Sequence, residues 1–95
     1  MATALWLTLT LVHAAAAPAG LAWRPFEPAA LDEARDSGRL VLLDVGTAWC
    51  HWCHVMDERT YGDARVQAVL RAGFVVTRAD ADARLDLAQR YEAYG

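Results

Sequence analysis

Residues 49–56, WCHWCHVM, bring together two cysteines, two histidines and a methionine, side chains that bind metals or carry redox chemistry. Cys50 and Cys53 are three residues apart, so in a helix their sulfurs lie on one face and within reach of a disulfide. The same C-x-x-C-H pattern also fits covalent haem attachment, and its ligand types suit zinc or copper. The flanking sequence therefore has to distinguish a dithiol site from a haem or metal site.

The residues before this segment predict a buried strand that leads directly into a helix. Residues 40–45, LVLLDV, form a nearly continuous apolar run ending at Gly46, which is typical of a strand covered on both faces in a parallel sheet. A helix that begins near Cys50 places that sulfur beside unpaired N–H groups and the positive end of the helix dipole, which stabilise a thiolate. We therefore expect Cys50 to be the more exposed nucleophile and Cys53 to resolve the mixed disulfide.

Two further side chains are candidates for controlling protons at the cysteines. Asp44 interrupts the apolar strand six positions before Cys50, where a charge is costly unless it has a role. At the end of the strand it can lie beneath the dithiol and exchange a proton with Cys53 through water; the alternative is that it caps a loop. His51 lies between the cysteines and can be cationic near neutral pH, which would favour the Cys50 thiolate.

Aromatic and polar side chains around the cysteines form a candidate surface for partner proteins. Trp49 and Trp52 are predicted to form a hydrophobic rim around the dithiol, with ordinary packing as the alternative. His54 is predicted to be a polar residue of the helix face at this rim rather than a metal ligand.

The rest of the chain predicts an α/β fold with parallel strands. Further helices are expected over residues 29–37, 63–72 and 85–94, and a second strand over residues 74–77. Pro28 suits the first turn of a helix, and Asp63 suits an N-cap. Gly38 and Gly73 are placed to end helices. Three acidic residues near the last turn lack the Gly and distal Glu of a calcium loop and are expected to be solvated: Asp80, Asp82 and Asp86.

No charged side chain precedes Arg24, and the first residues have the layout of a secretory signal peptide. An apolar run over residues 4–12 is followed by small residues that permit cleavage after Ala19 or Ala16. The alternatives are an uncleaved anchor, since residues 2–23 are long enough to span a bilayer, and a start site assigned too early. Residues 1–19 are therefore expected to be a signal peptide or N-terminal anchor. Residues 23–95 are expected to form a periplasmic or secreted domain, attached to a membrane only if the anchor is retained.

Composition limits the classes of function. With 95 residues the chain has room for one domain, and its nine Arg alternate with 12 acidic residues to give a net charge of −3. Nucleic-acid binding needs a basic patch, which this pattern does not provide, so no nucleic-acid partner is expected. A disulfide between Cys50 and Cys53 closes a very small loop and restricts the unfolded chain little, so its value is expected to be chemical.

The segment LLDVGTAWCHWCH, residues 42–54, resembles the active-site strand and helix of thioredoxin-like proteins in its aspartate, its Trp before the first Cys and its Cys-x-x-Cys. The run CHWCHVMDERTYGDARV, residues 50–66, is similar to the spermatogenesis-associated thioredoxin-like family, and the layout resembles DsbD-like periplasmic thioredoxin domains. The resemblance covers about residues 23–95. It implies a thioredoxin-like α/β fold and thiol–disulfide exchange through a redox-active Cys50–Cys53 disulfide without another cofactor. Its partners would be protein thiols and disulfides or a redox partner protein.

Two departures from this family limit what the resemblance implies. Trp52 stands where thioredoxin has Pro and His54 replaces a common Lys, so the potential and direction of the redox reaction cannot be carried over. Thioredoxin-like folds continue into an antiparallel strand pair preceded by a cis-proline that faces the dithiol. All the prolines here precede the motif: Pro18, Pro25 and Pro28. We therefore expect an incomplete thioredoxin-like domain without the C-terminal hairpin, with an inactive fragment as one alternative.

Haem and metal sites remain alternatives for the literal motif. Haem would use His54 as the proximal ligand, but Met56 is too close in sequence to reach the other face of the haem. Zinc needs four ligands, and the Cys and His residues of the segment are too nearly contiguous to surround one ion on a single short helix. Copper(I) would take both cysteines, with or without Met56, since these are soft ligands. The buried strand, its aspartate and the missing distal haem ligand favour the dithiol.

Overall fold

The structure, a computed structural model, describes residues 20–92 together with Thr3. Its elements, in chain order, are β1 (Arg24–Pro25), α1 (Pro28–Ser37), β2 (Leu40–Gly46), α2 (His51–Arg59), α3 (Ala64–Gly73), β3 (Phe74–Asp80) and α4 (Leu85–Arg90). The predicted order of helices and strands is confirmed, with β1 as an additional strand. Apart from Thr3, the predicted signal peptide or anchor lies outside the described residues. Among the residues described, no helix is long and apolar enough to cross a membrane.

The three strands form one parallel sheet in the order β1-β3-β2. β2 and β3 pair over seven residues, from Leu40 opposite Phe74 to Gly46 opposite Asp80. β3 is therefore longer than the predicted 74–77, because pairing with β2 carries it through its polar end. At its centre the fully buried Thr77 donates its hydroxyl hydrogen to the backbone oxygen of Leu42 at 2.8 Å. The predicted parallel α/β architecture is confirmed for residues 20–92.

The additional strand β1 escapes sequence prediction because it is two residues long and includes Pro25. Proline cannot donate to a sheet ladder and is confined to edge positions, and β1 lies at an edge, paired with β3. An ion pair between Arg24 and Glu33 joins β1 to α1, and Glu33 also binds Arg39 at 3.1 Å. Charge contacts thus join the edge strand β1 and the residue before β2 to α1.

The helix ends follow the predicted start and stop residues. Gly38 ends α1 with φ 67°, a left-handed conformation that glycine adopts without steric cost. Asp63 caps α3 by accepting a hydrogen bond from the N–H of Arg65 at 2.8 Å. α4 ends at Arg90, earlier than the predicted residue 94, and Glu92 has φ 51°, which does not continue an α-helix.

Small side chains pack α1 against one face of the sheet. Ala30 and Ala34, one turn apart, are buried against Val75 of β3, with Val41 of β2 beside them. Because strand side chains alternate between faces, Val41 faces α1 while Asp44 and Gly46 project to the opposite face. The face that carries Asp44 is therefore the one available to α2 and the cysteines.

The face of β2 that lies toward α1 is only partly covered within the described residues. An open apolar cavity of about 580 Å³ lies along it. Its lining residues are Phe26, Leu31, Val41, Leu43, Val45 and Tyr91. The side chains of Val41, Leu43 and Val45 on this face are only partly buried.

Candidate active site

The two cysteines lie at the first turn of α2, as the sequence predicts. Cys50 is the N-cap residue, and it is joined to Cys53 by a disulfide with the Cα atoms 5.3 Å apart. The N–H of Cys53 donates to the Cys50 sulfur at 3.2 Å. This N–H is one of the donors left unpaired at a helix N-terminus, so the same contact stabilises negative charge on the sulfur when the disulfide is opened.

The predicted difference in exposure between the cysteines is wrong in this oxidised form. Cys50 is 8% exposed, whereas Cys53 is only partly buried. The reason is local: as N-cap, Cys50 turns its sulfur back toward the N–H of Cys53 in the first turn of the helix. The helix N-terminus that favours the thiolate thus also covers it.

Gly46, the last residue of β2, gives Cys53 its place beside the sheet. A Cβ on Gly46 would lie 3.1 Å from the Cys53 sulfur, closer than carbon and sulfur ordinarily approach. Gly46 is therefore a site residue that sequence reasoning used only as the end of a strand. The available signal was a glycine between a buried strand and a C-x-x-C helix, which is typical of a close approach to the backbone.

Asp44 lies on the predicted face but binds a partner that was not predicted. It precedes Gly46 by two residues and so projects to the same side of β2 as the position facing Cys53. Its carboxylate accepts hydrogen bonds from Nε and Nη2 of Arg78, at 3.1 Å and 2.9 Å. The alternative that Asp44 caps a loop is not what these contacts show, because its partner is in the middle of the neighbouring strand.

Arg78 of β3 contacts several residues around the cysteines and was not predicted as a site residue. Besides Asp44, its Nη2 donates to Asp57 of α2 at 2.6 Å, and its guanidinium carbon lies 3.9 Å from the centre of the Trp23 ring. Asp44 and Arg78 are each the fifth residue of a seven-residue strand, and the two are register partners. Because the predicted second strand ended at residue 77, no sequence signal indicated this pair.

Tyr61, in the connection between α2 and α3, lies beside this cluster. Its ring meets the Trp23 ring edge-on, with the ring centres 4.9 Å apart. Burial raises the pKa of Tyr61, and the charge of Asp44 raises it further; Arg78 offsets part of this, and Asp57 adds to the rise. Burial is thus the main cause of the raised pKa, and the three charged groups modify it in both directions.

The histidines of the motif lie on the exposed side of α2. His51 is exposed, and its ring meets the Trp52 ring edge-on at 5.1 Å between centres. Nε2 of His54 lies 2.8 Å from the backbone oxygen of Ala48. Since a carbonyl can only accept, His54 donates from Nε2 and fastens α2 to the loop before the cysteines.

Both tryptophans of the predicted rim are exposed instead of packed. Trp49 is 71% exposed and Trp52 is 74% exposed. The Trp49 indole N–H donates to the carboxylate of Asp82 at 2.9 Å. Asp82, expected only to be solvated, therefore fixes the orientation of one side of the rim from the turn after β3.

The polar side chains of the motif do not converge on a common point. In the part of the chain that the structure describes, no group of three or more His, Cys, Asp or Glu side chains is placed to hold a metal ion. The two sulfurs are bonded to each other, and the His54 ring is engaged with the Ala48 carbonyl.

Comparison with known proteins gives one family and one fold. The family model Thioredox_DsbH, described as a protein of unknown function, DUF255, matches residues 9–95. The chain is 33% identical to a thioredoxin from Thermus thermophilus and superposes on it with a TM-score of 0.71, covering 80% of this chain and 59% of that one. The predicted thioredoxin-like fold is confirmed.

Curated relatives are much longer proteins. Human spermatogenesis-associated protein 20 is 32% identical over 72 residues, which are 76% of this chain and 9% of that protein. A thiol:disulfide interchange protein DsbD from a Pseudomonas species is 38% identical over 76 residues, which are 73% of this chain and 13% of that protein. Both relationships match the resemblance carried by residues 42–66. The chain therefore belongs to the Thioredox_DsbH family of thioredoxin-like proteins.

Proposed function

We propose that this chain carries out thiol–disulfide exchange with protein thiols and disulfides outside the cytoplasm, as all or part of a redox protein. The observation that carries the proposal is the Cys50–Cys53 disulfide at the start of α2, with the N–H of Cys53 directed at the Cys50 sulfur. The similarity to proteins named for thiol:disulfide interchange supports the same chemistry.

The exchange proceeds in two balanced steps. In the reduced protein the Cys50 thiolate attacks one sulfur of a substrate disulfide; a mixed disulfide forms, and the other substrate sulfur leaves as a thiolate and takes up a proton. Cys53 then loses its proton and attacks the Cys50 sulfur, which re-forms the Cys50–Cys53 disulfide and releases the second substrate thiol. Two electrons pass from the dithiol to the substrate, and the reverse sequence oxidises a substrate dithiol.

Asp44 and His51 are proposed to control the protons of these steps. Asp44 projects from β2 on the side that faces Cys53 and is partly buried, with 24% of its side chain exposed, so it can accept the Cys53 proton through a water molecule. His51 is exposed beside Cys50 and, when cationic, favours its thiolate. Arg78 holds the Asp44 carboxylate in one orientation.

The exposed rim is proposed to contact the polypeptide that carries the substrate cysteines. Trp49 and Trp52 lie on either side of Cys50 in the sequence, and both rings are exposed. His54 joins α2 to the preceding loop through its hydrogen bond to the Ala48 carbonyl. Apolar surface of this kind, rimmed by polar groups, is typical of protein contact sites.

Export is supported by the N-terminal sequence pattern described above. In this proposal the domain is periplasmic or secreted, or faces the same compartment from a membrane anchor. An oxidising compartment also suits a protein whose activity cycles through a disulfide.

The proposal is tested by trapping thiols in the folded chain after equilibration across a series of glutathione redox ratios. We expect one cooperative two-electron transition in which Cys50 and Cys53 change state together. The matched variants are Cys53→Ser, which should accumulate a mixed disulfide with a protein substrate, and Cys50→Ser, which should not. Two cysteines that stay unreactive in folded protein at every ratio would overturn the proposal.

A further inference from the structure

The Arg78 guanidinium is shared between carboxylates from two different elements. Its Nη2 lies 2.9 Å from Asp44 of β2 and 2.6 Å from Asp57 of α2. The Trp23 ring covers the guanidinium, with the guanidinium carbon 3.9 Å from the ring centre. The three ionisable groups together carry a formal charge of −1. The proposed mechanism uses Asp44 and leaves Asp57 without a role.

Asp57 is placed to act on the resolving cysteine. It follows Cys53 by four residues in α2, so the two side chains lie on one face of the helix, one turn apart. Asp44 projects from the strand on the face toward the Cys53 sulfur, which lies against Gly46. Cys53 therefore has one carboxylate along the helix and one beneath it, with Arg78 between them.

We propose that Asp57 is a positioning residue for dithiol exchange: by sharing Arg78 with Asp44, it determines how negative the surroundings of Cys53 are, and hence how readily Cys53 gives up its proton. The inference rests on the proposed function, because it concerns the resolving step of that reaction. Asp57 touches neither substrate nor sulfur in this role; it acts through Arg78.

Other titratable groups are carried by α2, β2, β3 and the connections that follow α2 and β3. They are His51 and His54 of α2, Asp44 of β2, Arg78 of β3, Tyr61 after α2 and Asp82 after β3. Two of these are already engaged, His54 with a backbone carbonyl and Asp82 with the Trp49 indole. Burial is the main cause of the raised pKa of Tyr61; the charges of Asp44 and Asp57 add to it and the charge of Arg78 opposes it.

The test uses Asp57→Asn, Arg78→Gln and the double variant, because each single substitution breaks the same ion pair while changing the local charge in opposite directions. The cluster charge becomes 0 in Asp57→Asn, −2 in Arg78→Gln and −1 again in the double variant. We expect the Cys53 pKa to fall by about half to one unit in Asp57→Asn and to rise by a similar amount in Arg78→Gln. In the double variant the Cys53 pKa should return close to its original value. If the Asp57–Arg78 pair only held α2 in place, the Cys53 pKa would shift in the same direction in all three variants.

The measurement is the pH dependence of alkylation of the reduced full-length chain, with Cys50 and Cys53 distinguished by peptide mass mapping. Glu58→Gln is the matched control, since it removes an exposed carboxylate from the next position of α2, and it should shift the Cys53 pKa less than Asp57→Asn does. Arg78→Lys keeps the positive charge, so its Cys53 pKa should lie much closer to that of the original protein than the Cys53 pKa of Arg78→Gln does.

Shifts of the same sign in Asp57→Asn and Arg78→Gln, or no shift in Asp57→Asn, would overturn the inference. If Arg78→Gln does not fold, as judged by near-ultraviolet circular dichroism, the direction of the Asp57→Asn shift still decides. The titration needs no substrate. A chain that shows the opposed shifts but never exchanges disulfides refutes the proposed function alone, and a chain that exchanges disulfides without the shifts refutes only this inference.

Discussion

Asp44→Asn separates two roles that the Asp44 carboxylate can have toward Cys53. Asp44 and Gly46 are two residues apart on one face of β2, and the Cys53 sulfur lies 3.1 Å from the position of a Gly46 Cβ. Two strand residues span about 6.6 Å, so we take about 6 Å as the separation of the carboxylate and the sulfur, a distance that one water molecule can bridge. Asn keeps the shape of the side chain and removes both the charge and the proton acceptor.

The two roles predict opposite effects on the resolving step. As a charge alone, a carboxylate at about 6 Å in an effective dielectric constant of about 40 raises the Cys53 pKa by about one unit, so Asn would speed resolution up to about tenfold. As a proton acceptor the carboxylate accelerates the step by about 100- to 10,000-fold, which Asn would abolish. The second effect is larger, so we expect a net slowing of about 10- to 1,000-fold near neutral pH.

The assay is the reaction of reduced protein with an aromatic disulfide that releases one coloured thiol when Cys50 attacks and a second when Cys53 resolves. Stopped-flow absorbance follows the two releases as separate phases. In Asp44→Asn the first phase should change by less than about threefold, since the charge lies nearer to Cys53, while the second should slow; Cys53→Ser should lack the second phase. A second phase that is unchanged or faster in Asp44→Asn would refute the assignment of Asp44 as proton acceptor.

Three further predictions concern the stability of the fold and the rim. Thr77→Val should lower the free energy of unfolding by about 1 kcal/mol, because it removes the buried hydrogen bond to the Leu42 oxygen without changing the volume of the side chain. Urea melts should be compared with those of Thr77→Ser, which keeps the hydroxyl. A Val variant more stable than the Ser variant would contradict the prediction. The free energy of unfolding should decline as pH rises above about 10, because the raised pKa of Tyr61 lets the folded chain keep a proton that the unfolded chain loses. Tyr61→Phe should reduce this dependence of stability on pH. An equal dependence in both proteins would exclude Tyr61 as its cause. Asp82→Ala should raise the KM for a protein disulfide a few-fold, because it releases the Trp49 indole, and should leave the rate toward a small aromatic disulfide unchanged. Equal losses of activity on both substrates would mean that Asp82 acts on the cysteines instead of the rim.

The parts of the fold that follow from the sequence are those encoded by neighbouring residues. Gly38 and Asp63 mark helix ends through their own backbone and side-chain chemistry, and the apolar run before Gly46 marks a buried strand. β1 could not be predicted because two residues carry no periodicity; its pairing with β3 is a tertiary contact. The length of β3 was underestimated for a related reason: its last residues, Arg78 and Asp80, are polar, and pairing with β2 keeps them in the strand.

In the candidate site, too, features set by neighbouring residues were predictable and those set by tertiary contacts were not. The cysteine pair and its position at a helix N-terminus are set by a spacing of three residues, so they were predictable. Asp82 lies 33 residues beyond Trp49 and comes to it only because β3 runs parallel to β2, so no local pattern could have placed it. The greater exposure assigned to Cys50 failed because exposure depends on the direction in which the N-cap sulfur turns, and spacing carries no information about that direction.

Disulfide formation and proton control in this site therefore depend on different parts of the structure. The Cys50–Cys53 bond needs only the first turn of α2, whereas the contact between Asp44 and Arg78 needs β2 and β3 to pair in one register. A slip of β3 by one residue would turn Arg78 to the opposite face of the sheet and leave Asp44 uncompensated, yet it would not alter the geometry of the helix turn. A disulfide in the purified chain is thus weak evidence of a correctly paired sheet. The pH dependence of Cys53 is the stronger evidence, because only the native register brings Arg78 between Asp44 and Asp57.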